Sequence, residues 1–142
     1  MPTRTSSALW EGNLRDGSGT MKLGSGAFEG SYSFVSRFES GPGTNPEELI
    51  AAAHAGCFSM AFANALSQAG FTPSSVATSA TVHLDRVDSG FGITQIDLDT
   101  VGTVPGIDDD KFQELAANAK ENCPVSMVLK GGAKITLNAR LA

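Results

Sequence analysis

Residues 44–61 read TNPEELIAAAHAGCFSMA and predict a long helix that carries Cys57, one of only two cysteines in the chain. Asn45 is a suitable N-cap, and Glu48 completes a capping box three residues later. The apolar pattern continues to Gly70, a residue type that commonly terminates helices. Because little of the helix circumference is polar, we expect the helix to be buried.

The second cysteine, Cys123, lies far downstream and directly precedes Pro124. Residues 1–7 contain no apolar run, so we expect no signal peptide and a cytoplasmic location. In a reducing compartment, paired thiols tend to be catalytic, redox-active or metal-bound. The two cysteines therefore favour a thiol redox pair over a disulfide scaffold.

The composition restricts the class of protein. A chain of 142 residues is long enough for one domain, residues 1–142, with its own hydrophobic core. Its net charge of −5 and its scattered basic residues argue against a nucleic acid or a membrane surface as partner. Glutamate, histidine, asparagine and glutamine side chains interrupt the long helix, which argues against a membrane span.

The remainder of the chain alternates between strand patterns and helix patterns. Segments rich in valine, isoleucine, threonine and aromatic residues, separated by glycine turns, predict strands. Acidic residues open a second helix at its favourable end. The order of strands, long helix, strands, helix and strand predicts an α+β domain. The predicted strands are 8–10, 19–23, 31–38, 76–86, 92–104 and 134–141; the second helix runs from Asp108 to about Asn122, and a short helical turn begins at Cys123 and Pro124.

Cys57 needs a neighbouring group that stabilises its thiolate before it can act as a nucleophile. A cysteine within an apolar helix has a raised thiol pKa, so a nearby cation is needed, and arginine is the most suitable type. A carboxylate would orient that arginine. Glu47 precedes Cys57 by ten positions, which places it about 80° away around the helix and roughly 15 Å along the axis. Glu48 points about 180° away, so Glu47 is the better candidate. Either a long arginine bridges this distance, or two such helices pack antiparallel in a dimer.

Other interpretations of these residues stay open at this point. A buried cysteine is commonly only a small apolar residue. Cys57 and Cys123 also permit a structural disulfide. His54, one turn before Cys57, suits a general base or a packed side chain. With both cysteines and His83 it forms a formal zinc ligand set, although no Cys-x-x-Cys pair supports a metal site.

The sequence resembles the OsmC family within the OsmC/Ohr superfamily. The run at residues 43–61 resembles the family signature, and CPVSMVLK at residues 123–130 resembles its second cysteine motif. Shorter segments agree, and the resemblance covers nearly the whole chain. These segments are WEG at 10–12, SRFE at 36–39, DRV at 85–87 and VPGI at 104–107. Residues 45–49 and the sequence around His54 favour the OsmC branch over the organic hydroperoxide resistance branch.

The resemblance implies an OsmC-like α+β fold with antiparallel sheets around long central helices. It also implies an intertwined homodimer with two active sites at the interface. The implied activity is a thiol-dependent peroxidase that reduces organic hydroperoxides, with an external thiol or dithiol as reductant and no cofactor or metal. The family pattern makes Cys57 the peroxidatic cysteine, Cys123 the resolving cysteine and Glu47 a site carboxylate. Arg37 matches the OsmC position of the site arginine, whereas Arg15 matches that of the hydroperoxide resistance branch.

A second function remains compatible with the sequence. The same fold would serve as a non-catalytic dimer that binds a small molecule in an apolar interface pocket. Such a protein would not need a reactive Cys57, and a thiol pKa at or above about 8.5 would favour it over the peroxidase.

Overall fold

The computed structural model describes residues 1–142, and the chain divides into two compact units, residues 1–49 and residues 50–142. The first unit contains three strands, a short helix and the start of a long helix. The second contains the remainder of that helix, three strands and two further helices. The expectation that residues 1–142 act as a single domain stays a prediction.

The first unit is a small antiparallel sheet of β1 (Ser6–Glu11), β2 (Ser18–Leu23) and β3 (Glu29–Tyr32), in that order. A helix, α1 (Phe34–Phe38), follows directly. The strand predicted over residues 31–38 is therefore wrong beyond its first two residues.

A local hydrogen-bond pattern explains the end of that strand. The Ser33 hydroxyl accepts a hydrogen bond from the Ser36 backbone, and the Ser36 hydroxyl accepts one from the Ser33 backbone. This capping box offers the backbone an alternative to strand pairing. The aromatic residues that suggested alternation, Phe34 and Phe38, are also one helical turn apart, and their ring centroids lie 4.9 Å from each other.

The long helix, α2, is observed at Pro46–Gln68, as predicted. The Asn45 side chain accepts a hydrogen bond from the Glu48 backbone N–H at 2.8 Å, which confirms the N-cap. The second half of the predicted capping box is wrong. The Glu48 carboxylate instead accepts a hydrogen bond from the Thr44 hydroxyl at 2.7 Å. This hydroxyl is a nearer donor that the sequence pattern did not consider.

The prediction that α2 is buried nearly all round is also wrong for a single chain. Within the second unit only one stripe of α2, formed by His54, Phe58, Phe62 and Leu66, is completely buried. Ala53 and Gly56 are exposed, and Met60 is 77% exposed. By length and hydropathy alone α2 is also the one helix that meets the requirements of a membrane span.

The second unit contains a sheet in the order β4 (Ser75–Val87), β5 (Gly90–Thr103) and β6 (Lys134–Leu141). β4 and β5 pair antiparallel, as expected, whereas β5 and β6 pair parallel, so the predicted antiparallel pairing does not extend to β6. The cause is the crossover formed by α3 (Asp109–Asn122) and α4 (Pro124–Leu129). Parallel neighbours need such a connection, and it returns the chain to the end of the sheet where β5 began.

The core of the second unit lies between α2, α3 and the inner face of the sheet. Phe62 forms an edge contact with Phe112 of α3, with ring centroids 5.1 Å apart. Leu98 of β5 and Cys123, at the junction of α3 and α4, belong to the same buried cluster. The core therefore fixes the position of Cys123 relative to the helix that carries Cys57.

Candidate active site

The structure places the two cysteines in direct contact. Cys57 lies on α2 and is partly exposed, whereas Cys123 is completely buried at the start of α4. Their Sγ atoms are 2.8 Å apart, and both thiols are free. Cys123 also ends α3, because its backbone N–H donates to the Ala119 carbonyl at 2.9 Å. The following Pro124 occupies the first turn of α4, a position that proline favours.

The pKa of Cys57 is raised above its ordinary value, as the apolar surroundings predicted. Burial is the main cause, and the hydrogen bond and repulsion from Cys123 add to it. A backbone hydrogen bond from Val125 acts in the opposite direction but does not reverse the shift. Within the second unit, Cys57 therefore has thiol character at neutral pH, and no cation stabilises its thiolate.

A groove of about 660 Å³ opens beside Cys57 within the second unit. Its walls combine small apolar side chains of α2 with amide side chains from α2 and α3. Cys57, rather than the buried Cys123, is thus the sulfur that a small molecule can approach. The groove contains Cys57, Met60, Ala61, Asn64, Asn118 and Asn122 among its lining residues.

The structure also pairs Arg37 with Glu47, within the first unit. One Arg37 nitrogen, Nη2, donates to Glu47 Oε1 at 2.7 Å, and Nε lies 3.2 Å from both carboxylate oxygens. The Glu47 side chain is only 10% exposed and that of Arg37 35%. This two-pronged ion pair holds the guanidinium in a fixed orientation.

Hydrogen bonds at the start of α2 position this ion pair. The Ser36 hydroxyl donates to the Thr44 carbonyl at 2.8 Å, and the Asn45 amide donates to the Ser36 carbonyl at 3.0 Å. These bonds fix α1, and with it Arg37, against the first turn of α2, where Glu47 lies. Glu47, and not Glu48, is therefore the glutamate that pairs with Arg37, and its role in the site stays a prediction.

Next to the ion pair is an aromatic cavity of about 420 Å³, again within the first unit. Arg15, the other candidate arginine, lies outside the ion pair. Its guanidinium carbon is 4.8 Å from the centre of the Phe34 ring. The cavity is lined by Trp10, Leu14, Tyr32, Phe34, Arg37 and Phe38, together with backbone and small residues.

The two histidines do not assemble with the cysteines into a metal site. His54 is completely buried, and its Nε2 atom lies 2.7 Å from the Ser126 hydroxyl. His83 binds the Asp97 carboxylate at 2.6 Å on the sheet. Hydrogen bonds from Thr136, His83 and Gln95 lower the pKa of Asp97 to about 2. No group of three or more potential ligands is suited to a metal ion.

The sequence interpretation missed Ser126, which is buried against His54. A signal for it was available in the spacing. His54 precedes Cys57 by three residues, and Ser126 follows Cys123 by three residues. In helices, residues three apart share a face. If the two helices run antiparallel, contact between the cysteines also brings His54 and Ser126 together, as the structure shows.

Comparisons with known proteins point to one family. The family model described as OsmC-like protein matches residues 39–138. Peroxiredoxin OsmC of Escherichia coli (strain K12) is 53% identical over 135 residues, which cover 94% of this chain and 93% of that protein. The organic hydroperoxide resistance protein of Xanthomonas axonopodis pv. citri (strain 306) is 36% identical and aligns with 68% of this chain and 67% of its own. The crystal structure of the organic hydroperoxide resistance protein OhrB of Bacillus subtilis superposes with a TM-score of 0.73 at 26% identity, covering 96% of this chain and 98% of that one.

Proposed function

The chain belongs to the OsmC family, and on that premise we propose that it is a thiol-dependent peroxidase that reduces organic hydroperoxides to alcohols. The observation that carries the proposal is the contact between two free thiols, one accessible and one buried, at 2.8 Å. A nucleophilic cysteine must be accessible to the peroxide, and a resolving cysteine must be able to reach its sulfur to close the disulfide. The names of the relatives, a peroxiredoxin and an organic hydroperoxide resistance protein, support the same reaction.

The proposed reaction begins at the accessible sulfur. The Cys57 thiolate attacks the distal oxygen of the hydroperoxide, the O–O bond breaks, and the alkoxide takes up a proton to leave as the alcohol. Cys57 is left as a sulfenic acid. The Cys123 sulfur then attacks the Cys57 sulfur, an S–S bond replaces the S–O bond, and water leaves. An external thiol or dithiol returns both cysteines to thiols, and no cofactor or metal takes part.

The raised pKa of Cys57 makes a cation necessary, and we assign this role to Arg37. A guanidinium beside the sulfur would stabilise the thiolate and then the leaving alkoxide. Glu47 supports this role because its carboxylate already holds the guanidinium by two nitrogens. Arg15 remains the alternative. Its guanidinium contacts the Phe34 ring, whereas the guanidinium of Arg37 is oriented by the Glu47 carboxylate.

The cavity next to Arg37 supports a preference for organic peroxides. Its aromatic walls offer apolar surface to an alkyl or aryl group, which hydrogen peroxide lacks. Burial of that group would contribute binding free energy in proportion to its apolar area.

We further propose that the protein is a homodimer in the cytoplasm. The exposed stripe of Ala53, Gly56 and Met60 supports this assembly, because water-exposed apolar helix faces are normally covered. Small residues allow a second helix to approach closely. A two-fold dimer would let Arg37 and Glu47 of one copy complete the site at Cys57 of the other.

A peroxidase assay tests the proposed function. With a dithiol reductant, the protein should consume cumene hydroperoxide and t-butyl hydroperoxide faster than hydrogen peroxide. The Cys57→Ser variant should show no turnover above the background of the dithiol. Unchanged turnover in Cys57→Ser would show that the reaction does not use this thiol.

The rival function is a non-catalytic dimer that binds a small molecule. The raised pKa of Cys57 within its own unit is the observation that favours it. Titration of the Cys57 thiol in the assembled protein separates the two functions. The peroxidase requires a pKa below the ordinary value of about 8.5, whereas a binding protein needs no such shift.

A further inference from the structure

A second buried contact links the helices that carry the two thiols. His54 Nε2 and Ser126 Oγ are 2.7 Å apart, although 72 positions separate the residues in the chain. His54 has no exposed surface, and Ser126 is 1% exposed. Neither residue can reach solvent or substrate, and the proposed peroxidase reaction uses neither.

This contact runs parallel to the contact between the sulfurs. His54 lies one helical turn before Cys57 on α2, and Ser126 lies one turn after Cys123 on α4. The two helices are thus joined twice, once through sulfur and once through the hydrogen bond. His54 and Cys57 move together because they lie on one turn of α2, and Cys123 and Ser126 move together at the start of α4. Formation of one contact therefore restricts the geometry of the other.

The anchoring of α4 depends strongly on Ser126. This helix has only six residues, and Ser126 is its one buried residue. The neighbouring Met127 is 56% exposed and Val128 is 79% exposed. Cys123 and the partly buried Val125 pack against the core, and the hydrogen bond of Ser126 adds a directional contact that sets the orientation of this short helix.

Stability alone does not explain the histidine. Its second ring nitrogen, Nδ1, is buried without a hydrogen-bond partner, which costs free energy. An apolar side chain of similar size would fill the same space without that cost. A directional hydrogen bond instead specifies one arrangement of α4 against α2, as buried polar contacts can do.

We propose that the His54–Ser126 hydrogen bond positions Cys123 against Cys57 for the step that closes the disulfide. The inference rests on the proposed peroxidase function. In this step the Cys123 sulfur displaces the oxygen of the Cys57 sulfenic acid, so the S–S bond forms, the S–O bond breaks, and water leaves with the Cys123 proton. His54 and Ser126 are positioning residues, and neither exchanges protons or electrons with the reacting atoms.

The test compares Ser126→Ala with Ser59→Ala. Ser59 is also on α2, but its hydroxyl donates to Thr78 of β4 at 2.8 Å, so this control removes a similar bond that does not involve α4. The first readout is the effective concentration of the Cys57–Cys123 dithiol against a glutathione redox buffer. Ser126→Ala should lower it about tenfold, and Ser59→Ala should leave it at the wild-type value. Equal values for Ser126→Ala and wild type would overturn the inference.

A second readout separates the closing step from the attack on peroxide. After one equivalent of cumene hydroperoxide, Ser126→Ala should release alcohol at the wild-type rate but form the disulfide about tenfold more slowly. Ser126→Thr, which restores a hydroxyl, should recover most of the closing rate. Slowing of both steps to the same extent would indicate a general structural defect and overturn the positioning role.

The two readouts distinguish this inference from the proposed function. The glutathione equilibrium needs no peroxidase activity, so it measures positioning even if the wild-type protein fails to consume peroxide. A double variant, His54→Leu with Ser126→Ala, addresses stability. The inference expects an unchanged or raised melting temperature together with a lowered effective concentration. A double variant that keeps the wild-type effective concentration would contradict it.

Discussion

The Sγ atoms of Cys57 and Cys123 lie 2.8 Å apart, although 66 positions separate these residues in the chain. The buried core beneath α2 and α3 holds them in this contact while leaving Cys57 open to a groove. In the reaction that we propose, this relationship divides the work between Cys57 as the accessible nucleophile and Cys123 as the protected resolving thiol.

Replacing Cys123 by serine should stop the proposed cycle at the sulfenic acid. Without external thiol, Cys123→Ser should react with one equivalent of hydroperoxide and then retain dimedone-reactive Cys57, whereas the wild type should close its disulfide. Mass spectrometry after dimedone labelling measures this difference. Equal labelling of the two proteins would show that Cys123 does not resolve the intermediate.

Substitution of Arg37 distinguishes the two candidate arginines. Arg37→Lys keeps the charge but loses the fork that binds Glu47, so kcat/KM should fall by roughly 10²–10³. Glu47→Gln should cause a smaller loss, because it weakens the orientation of Arg37 without removing its charge. Arg15→Lys is the matched comparison and should retain activity within about threefold. A larger loss in Arg15→Lys than in Arg37→Lys would reverse the assignment.

Burial of His54 predicts a specific dependence of stability on pH. Burial lowers the pKa of His54 below its ordinary value of 6.5. Between the folded-state pKa and 6.5, the unfolded chain therefore binds more protons than the folded one, so stability falls as pH falls through this window. The contribution of His54 to the free energy of unfolding is fully present above pH 6.5. Below pH 6.5 it decreases by at most about 1.4 kcal/mol per pH unit.

Urea denaturation between pH 8 and pH 5 measures this contribution. In His54→Leu, the free energy of unfolding should depend less on pH than in the wild type. The control His83→Leu alters the histidine paired with Asp97 and should keep the pH dependence that comes from His54. An identical slope in the wild type and His54→Leu would show that His54 does not remain neutral in the folded protein.

A mixing experiment tests whether each site uses two chains. In a heterodimer of Glu47→Ala and Cys57→Ser chains, one site is intact if Glu47 serves the cysteine of the partner. Equal mixing and co-refolding should then recover about a quarter of the wild-type activity, because about half of the dimers carry one intact site. No recovery above the two separate variants would contradict sites shared between chains.

Local signals in the sequence predicted most of the helices and strands. Asn45 is predicted as an N-cap, and its side chain accepts the expected backbone hydrogen bond. Asp108, predicted as the first residue of the second helix, is the N-cap of α3, and its side chain accepts from the Lys111 backbone N–H. Such caps involve residues three positions apart, so no tertiary information is needed. The spacing of Phe34 and Phe38 satisfies both an alternating strand and one helical turn, and the capping box of Ser33 decides in favour of the helix.

Features that depend on distant contacts were beyond the sequence patterns. The parallel pairing of β5 with β6 follows from the crossover through α3 and α4, not from the residues of β6. The exposure of Met60 likewise depends on which face of α2 the rest of the unit covers. The sequence predicts the thiol pair and Glu47, whereas the buried contact between His54 and Ser126 depends on how α2 and α4 pack.

The most direct test of the account is a single-turnover reaction of the reduced protein with one equivalent of cumene hydroperoxide. The account predicts one equivalent of alcohol, loss of two hydrogen atoms from the intact mass, and a peptide in which Cys57 is joined to Cys123. Cys57→Ser should yield neither alcohol nor disulfide. Alcohol formed at the wild-type rate by Cys57→Ser, or a wild-type protein that leaves the hydroperoxide unreacted, would contradict the account.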